Sequence, residues 1–178
     1  DSVSGAELPR AWEHRAPVPG LADLAFPPFA DVGAFDSREL IKWQVEEQKL
    51  LPLSALIKHV GIPRQRRNYF WYRRAFTTPA RRQIALLKVN KAQFGAAVWL
   101  NGRKIGEHLG CFTAGYFNLT PAVRWNGANE LVVRIGAHPA ALPETVPAGT
   151  DFEKLRWIPG IYDSVSLILA DNPVIEWV

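Results

Sequence analysis

The sequence predicts an all-β chain, an antiparallel β-sandwich with a helical insertion around residues 36–60, and three observations carry that prediction. Short segments with period-two alternation follow one another from Tyr69 to Ala170. Turn signals built on Gly, Asn and Pro separate them at short, regular intervals, as antiparallel sandwiches require. The clearest helical periodicity, Asp36 to Leu51, falls before the strand series begins.

Taken in order, residues 1–35 read as short extended pieces broken by prolines, with Trp12 and Val18 as anchors. Trp12 suits a core or sheet-capping position better than a ligand platform. Asp36 or Ser37 can cap the helix, and Glu39 stands at capping-box spacing from Asp36. Leu40, Ile41, Gln44, Val45, Gln48 and Leu51 then form one mainly apolar stripe, and Pro52 ends it. A second helical turn fits Leu53 to His59, ahead of Gly61-Ile62-Pro63. Helices are uncommon inside a sandwich, so residues 31–65 read as an excursion that covers a sheet edge or shapes a cleft.

Strands are expected at Tyr69 to Phe76 and at Gln83 to Val89; in the latter Ala85, Leu87 and Val89 share one face. In the next, Val98 and Leu100 point one way, Ala97 and Trp99 the other. Asn101 and Gly102 both tolerate φ > 0, which a type I′ hairpin turn demands, and Arg103 to Gly106 runs back. Tyr116 to Leu119, Glu130 to Gly136 and Ile161 to Ala170 complete the series, with a proline-bearing loop over residues 137–154. Residues 171–178 form an exit segment pointing toward a further domain, and residues 1–178 are expected to make a single sandwich domain cut from a longer chain.

At 178 residues and 48% hydrophobic, the chain can bury one proper core and is not disordered. No apolar run reaches membrane-spanning length, so no membrane span is expected. Asp1 in place of an initiator Met reads as a processed or trimmed start; a leaderless start of this kind is compatible with the expected periplasmic or secreted location, its signal peptide already removed. The net charge of +4 rests partly on Arg64/Arg66/Arg67, Arg73/Arg74 and Arg81/Arg82. These fit solvated strand faces and edges, and no nucleic-acid-binding signature accompanies them, so no nucleic-acid partner is expected.

Chemical site classes are few. His14, His59, His108 and His138 lack the spacings of a metal site, and no metal or other cofactor is expected. Cys111 lies near His108 but in an apolar context, which favours a buried, inert thiol over a Cys-His nucleophile. Gly102 to Gly106 lacks the spacing of a phosphate loop. The stretch before the last strand mixes aromatic, acidic and basic side chains suited to a saccharide: Asp151, Glu153, Lys154, Trp157 and Tyr162. Trp157 suits packing beneath the loop as well as it suits a sugar face.

Three motifs in the correct order give the chain a relative. Val98-Trp99, Asn101-Gly102, Gly106, His108 and Gly110, followed by Phe117, Leu119 and Thr120, match the pattern V-W-x-N-G-x-x-x-G-x-h-x-G … F-x-h-T. Asn68 to Phe76 (NYFWYRRAF) resembles a preceding W-Y-R-R-x-F strand, and Gly160 to Leu167 (GIYDSVSL) resembles a closing G-I-x-R-x-V-x-L strand, with Asp163 at the Arg position. Trp12 to Gly20 (WEHRAPVPG) also resembles a first W-x-x-A-x-V-P-G segment, with one more residue between Trp12 and Ala16. Together they resemble the N-terminal sugar-binding domain of the β-galactosidase and β-glucuronidase family, glycoside hydrolase family 2, over about residues 66–170. The resemblance implies a galactose-binding-domain-like jelly roll. It also implies a carbohydrate ligand and a downstream catalytic barrel domain in the same polypeptide, where the family's two catalytic carboxylates reside.

No catalytic residue is therefore expected in this chain, and Asn129-Glu130, which superficially resembles the family's acid/base pair, is read as structural. The family's contact Asn in N-V-x-Y-P corresponds to Asp23 in Asp23-Leu24-Ala25-Phe26-Pro27. The family's Asp six positions before the closing Gly corresponds to Lys154, a departure that Asp151 or Glu153 would have to make good. The expected function is a non-catalytic sugar-binding and scaffolding domain of an enzyme acting on oligo- or polysaccharide. The alternatives are an autonomous carbohydrate-binding module and a purely structural or partner-binding sandwich.

Overall fold

A computed structural model describes residues 2, 4–29, 45–47, 49, 52, 67–137, 141–147 and 158–171. Its centre is the hairpin. Asn101 and Gly102 take φ of 52° and 82°, as the type I′ turn requires, and join β4 (Ala96–Leu100) to β5 (Arg103–His108). A register shift after Val98 leaves Ile105 as the extra residue opposite the Val98/Trp99 step, a β-bulge. β4 also pairs antiparallel with β7 (Ala128–Gly136), which pairs with β2 (Tyr69–Thr77) over all nine of its residues. This gives a four-stranded sheet in the order β2-β7-β4-β5. Facing it is a three-stranded sheet, β6 (Gly115–Asn118), β3 (Ile84–Val89) and β9 (Val165–Ala170), in the order β6-β3-β9 and antiparallel throughout.

Alternation decides what fills the space between the sheets. Val98 and Leu100 from β4, Leu131, Val133 and Ile135 from β7, and Phe70 from β2 meet Ala85, Leu87 and Val89 from β3 and Phe117 from β6 in one buried cluster. The architecture is the jelly-roll-like antiparallel sandwich that the strand pattern predicts. The outer face of the larger sheet is covered too. Trp71, Ala97, Trp99 and Val132 are buried there beneath Leu8 and Trp12 of the N-terminal segment, so Trp12 is indeed a sheet cap. Ser2 pairs with Tyr69 and accepts from the Trp71 indole at 2.7 Å; the Arg134 guanidinium bonds the Gly5 carbonyl and lies over the rings of Tyr69, Trp71 and Trp99.

One strand differs from expectation. Ile161 to Ala170 does not run through but divides into β8 (Gly160–Ile161) and β9, separated by Tyr162 to Ser164. The cause is local: Asp163 turns its carboxylate back onto the Ser164 N–H at 2.7 Å and accepts from the Asn90 amide at 2.7 Å, so the backbone changes partner there. β8 pairs instead with β1 (Gly20–Leu21), a short strand that runs into a 3₁₀ turn, Ala22–Leu24. The expected helical insertion lies largely outside the described residues; Val45 and Glu46 carry helical backbone.

Candidate functional site

The β1–β8 ladder builds one end of the sandwich. Gly20 pairs with Ile161 and Leu21 with Gly160, while on the far side of β8 Gln93 pairs with Gly160. Gly160 is required there by space: a Cβ would stand 2.4 Å from the Gly20 carbonyl oxygen and 2.7 Å from the Leu21 Cα. The contact continues as the Ala22 N–H donates to the Pro159 carbonyl at 2.8 Å, and the Ala25 N–H closes the turn onto Ala22. Asp23 sits inside this turn, next to the Ala22 whose N–H bonds Pro159. Its Oδ1 is buried and finds no hydrogen-bond partner among the described residues. A buried carboxylate oxygen without a donor is costly, so it marks a position where a donor from outside the described structure would be accommodated.

Tyr162 lies at the other end of the same ladder, roughly 10 Å from Pro159 at about 3.3 Å per extended residue. Its hydroxyl donates to the Cys111 carbonyl at 2.6 Å, its ring meets that of Phe112 edge-on at 6.4 Å, and burial raises its pKa. The hydroxyl hydrogen is thus committed to the backbone, and Tyr162 offers a ring edge and an acceptor. Asp151, Glu153, Lys154 and Trp157 lie outside the described residues. Two rings, Phe26 and Phe112, are exposed, which sequence pattern does not reveal because an exposed Phe has the same local signature as a buried one.

The Asn129-Glu130 pair is engaged within the fold. Asn129 is 2% exposed and fully occupied: its Oδ1 accepts from the Arg124 N–H and the Asn101 amide, and its Nδ2 donates to the carbonyls of Arg124 and Gly127. Glu130 beside it forms an exposed ion pair with Arg73 at 3.7 Å. Cys111 is buried, and desolvation pushes its thiol pKa up, away from nucleophilic character. Among the described residues no three His, Cys, Asp or Glu side chains gather as a metal site, and no helix is long and apolar enough to cross a membrane. A cleft bounded by the N-terminal segment, β2 and β9 is lined by apolar residues such as Phe76, Leu131 and Leu167, with His14, Arg15, Tyr72, Arg73, Arg74 and Thr77 as its polar members.

The model of the family described as glycosyl hydrolase 2 galactose-binding domain-like matches residues 58–153, more than half of the chain. The chain belongs to that family. Among individual proteins, it is similar to the β-glucuronidases of Canis lupus familiaris and Felis catus, 26% and 28% identical over 108 residues. Those matches take in 56% of this chain but 17% of each relative, so the chain spans about a sixth of the length of the relatives it matches. Solved structures of Ruminococcus gnavus β-glucuronidase (27% identical, 39% of this chain, 12% of that one) and of a glycosyl hydrolase family 2 member from Bacteroides cellulosilyticus (25%, 40% and 9%) also match. Their TM-score of 0.38 is too low to carry a structural argument.

Proposed function

We propose that this chain is a non-catalytic sugar-binding and scaffolding domain of a glycoside hydrolase acting on oligo- or polysaccharide. It supports a catalytic barrel elsewhere in the same polypeptide and lends residues to the rim of that barrel's substrate site. The observation that carries the reading is the unpartnered buried oxygen of Asp23, in the 3₁₀ turn that follows β1. A sugar hydroxyl is the donor such a carboxylate lacks. Asp151, Glu153, Lys154 and Trp157 are proposed to share the rim, with Tyr162 at its far side. Family membership supports the glycoside hydrolase setting, and the small share of each relative that is matched leaves ample chain for a catalytic domain. A periplasmic or secreted location belongs to the same proposal, since polymeric saccharides are met outside the cytoplasm.

A hydrogen bond to a charged group contributes about 1.5–3 kcal/mol, roughly ten- to a hundredfold in an equilibrium constant. Asp23→Ala in the natural-length enzyme is therefore expected to lower kcat/KM at least about tenfold, while the isolated chain keeps its fold by circular dichroism. Unchanged kinetics would remove Asp23 from the substrate site.

A further inference from the structure

Asn-Gly occurs twice in the sequence, at Asn101-Gly102 and at Asn126-Gly127. This dipeptide is the one most open to attack on its own side chain, because glycine has no Cβ to shield its nitrogen from the preceding amide. The backbone treats the two alike, with φ of 52° at Asn101 and 55° at Asn126. The side chains differ. The Asn101 amide is fully engaged: Nδ2 donates to the Ala122 carbonyl and to the Asn129 Oδ1, both at 2.9 Å, and Oδ1 accepts from the Glu130 N–H at 3.0 Å. Bringing its Cγ onto the Gly102 nitrogen breaks all three of these bonds. Asn126 is exposed, and its side-chain amide bonds no group among the described residues. Its backbone N–H is held by the Pro79 carbonyl at 3.2 Å. Space around the attacking atom is open too, since a Cβ on Gly127 would meet nothing nearer than the Trp125 carbonyl oxygen at 3.7 Å.

We propose that Asn126 is a site of spontaneous deamidation, and that the Asn129 corner protects Asn101 from the same reaction. The Gly127 nitrogen gives up its proton and attacks the Asn126 Cγ. The new N–C bond forms as the Cγ–Nδ2 bond breaks, ammonia leaves, and a succinimide ring closes. Water then opens the ring at one carbonyl or the other, giving aspartate or isoaspartate. Water is the one co-reactant, and nothing is oxidised or reduced. The net charge of +4 falls by one in either product. Isoaspartate also inserts a methylene into the main chain just before β7. There the Gly127 carbonyl accepts from the Thr78 N–H at 3.3 Å and from the Asn129 Nδ2 at 3.1 Å, so the product disturbs the same corner.

Incubating the natural-length protein at mildly alkaline pH and mapping its tryptic peptides by mass spectrometry tests this. The two sites fall in separate peptides, residues 92–103 and 125–134, and fragmentation distinguishes Asn126 from Asn129. In the folded protein Asn126 is expected to react at least about tenfold faster than Asn101, whose reaction forfeits three hydrogen bonds. In urea, where neither side chain is held, the two rates should converge. Asn129→Ala removes one partner of Asn101 and should raise the rate at Asn101. Gly127→Ala fits the open space, should keep the fold by circular dichroism, and is expected to suppress the reaction at Asn126. Equal rates at the two sites in the folded protein would overturn the proposal. So would an Asn126 that stays intact in the folded protein while the urea-unfolded chain reacts.

Discussion

Asn129 shows how one side chain can fix a corner. It is buried, and every hydrogen-bonding capacity of its amide is used, tying the Arg124–Gly127 turn to Asn101 at the hairpin tip. Asn101 in turn accepts from the Glu130 N–H at 3.0 Å and donates to the Ala122 carbonyl at 2.9 Å. Asn129→Ala leaves several part-buried backbone groups without these partners, and we expect a loss of about 1–3 kcal/mol in urea unfolding. Tyr72 is the residue through which stability should respond to alkali. Burial holds its pKa at about 12 against an ordinary 10.0, with a backbone hydrogen bond from Ile161 opposing the shift. A raised pKa means that its contribution is complete below pH 10 and is lost as pH climbs through 12. Thermal unfolding of Tyr72→Phe should therefore fall less steeply than that of the unaltered chain between pH 10 and 12; parallel curves would deny Tyr72 that role.

Elements differ in how openly the sequence announces them. The Asn101-Gly102 hairpin was fully legible, because its turn chemistry and its alternation lie within a few residues. β1 was not: two residues have no period, and Gly20–Leu21 becomes a strand only through β8, about 140 positions away. The break at Tyr162 to Ser164 had a local sign in Asp163, yet which partner strands it would separate is a tertiary matter. β4 held a further clue. Its run Ala-Ala-Val-Trp-Leu is apolar on both faces, as strands covered on both sides are, and both faces are buried. The cover on the outer face is the N-terminal segment, clamped by the Ser2–Trp71 and Gly5–Arg134 bonds. Gly5 belongs there because a Cβ would stand 2.6 Å from the Tyr69 ring. Deleting residues 1–9 should uncover on the order of 150 Å² of aromatic surface, costing roughly 4 kcal/mol and shifting tryptophan fluorescence to the red. An unshifted spectrum at unchanged stability would show that the strap does not hold.

At the scale of the molecule, the two sheets form a scaffold, and the short β1–β8 ladder lies beside them. Half of the candidate site was legible in the sequence, for a physical reason. Asp23 could be named from a motif, but its missing hydrogen-bond partner is a property of burial and emerges only once β1 lies against β8. Asp151, Glu153, Lys154 and Trp157 fall outside the described residues, so their part rests on sequence pattern. The exposed rings of Phe26 and Phe112 were invisible to pattern because composition does not tell an outward Phe from an inward one. The central claim, that this chain helps hold a saccharide and does not cleave one, is tested most directly by incubating the purified 178-residue chain with aryl β-glycosides. We predict release of the aryl alcohol no faster than in buffer alone. Turnover by the folded chain, abolished by heat and retained through purification, would contradict the account.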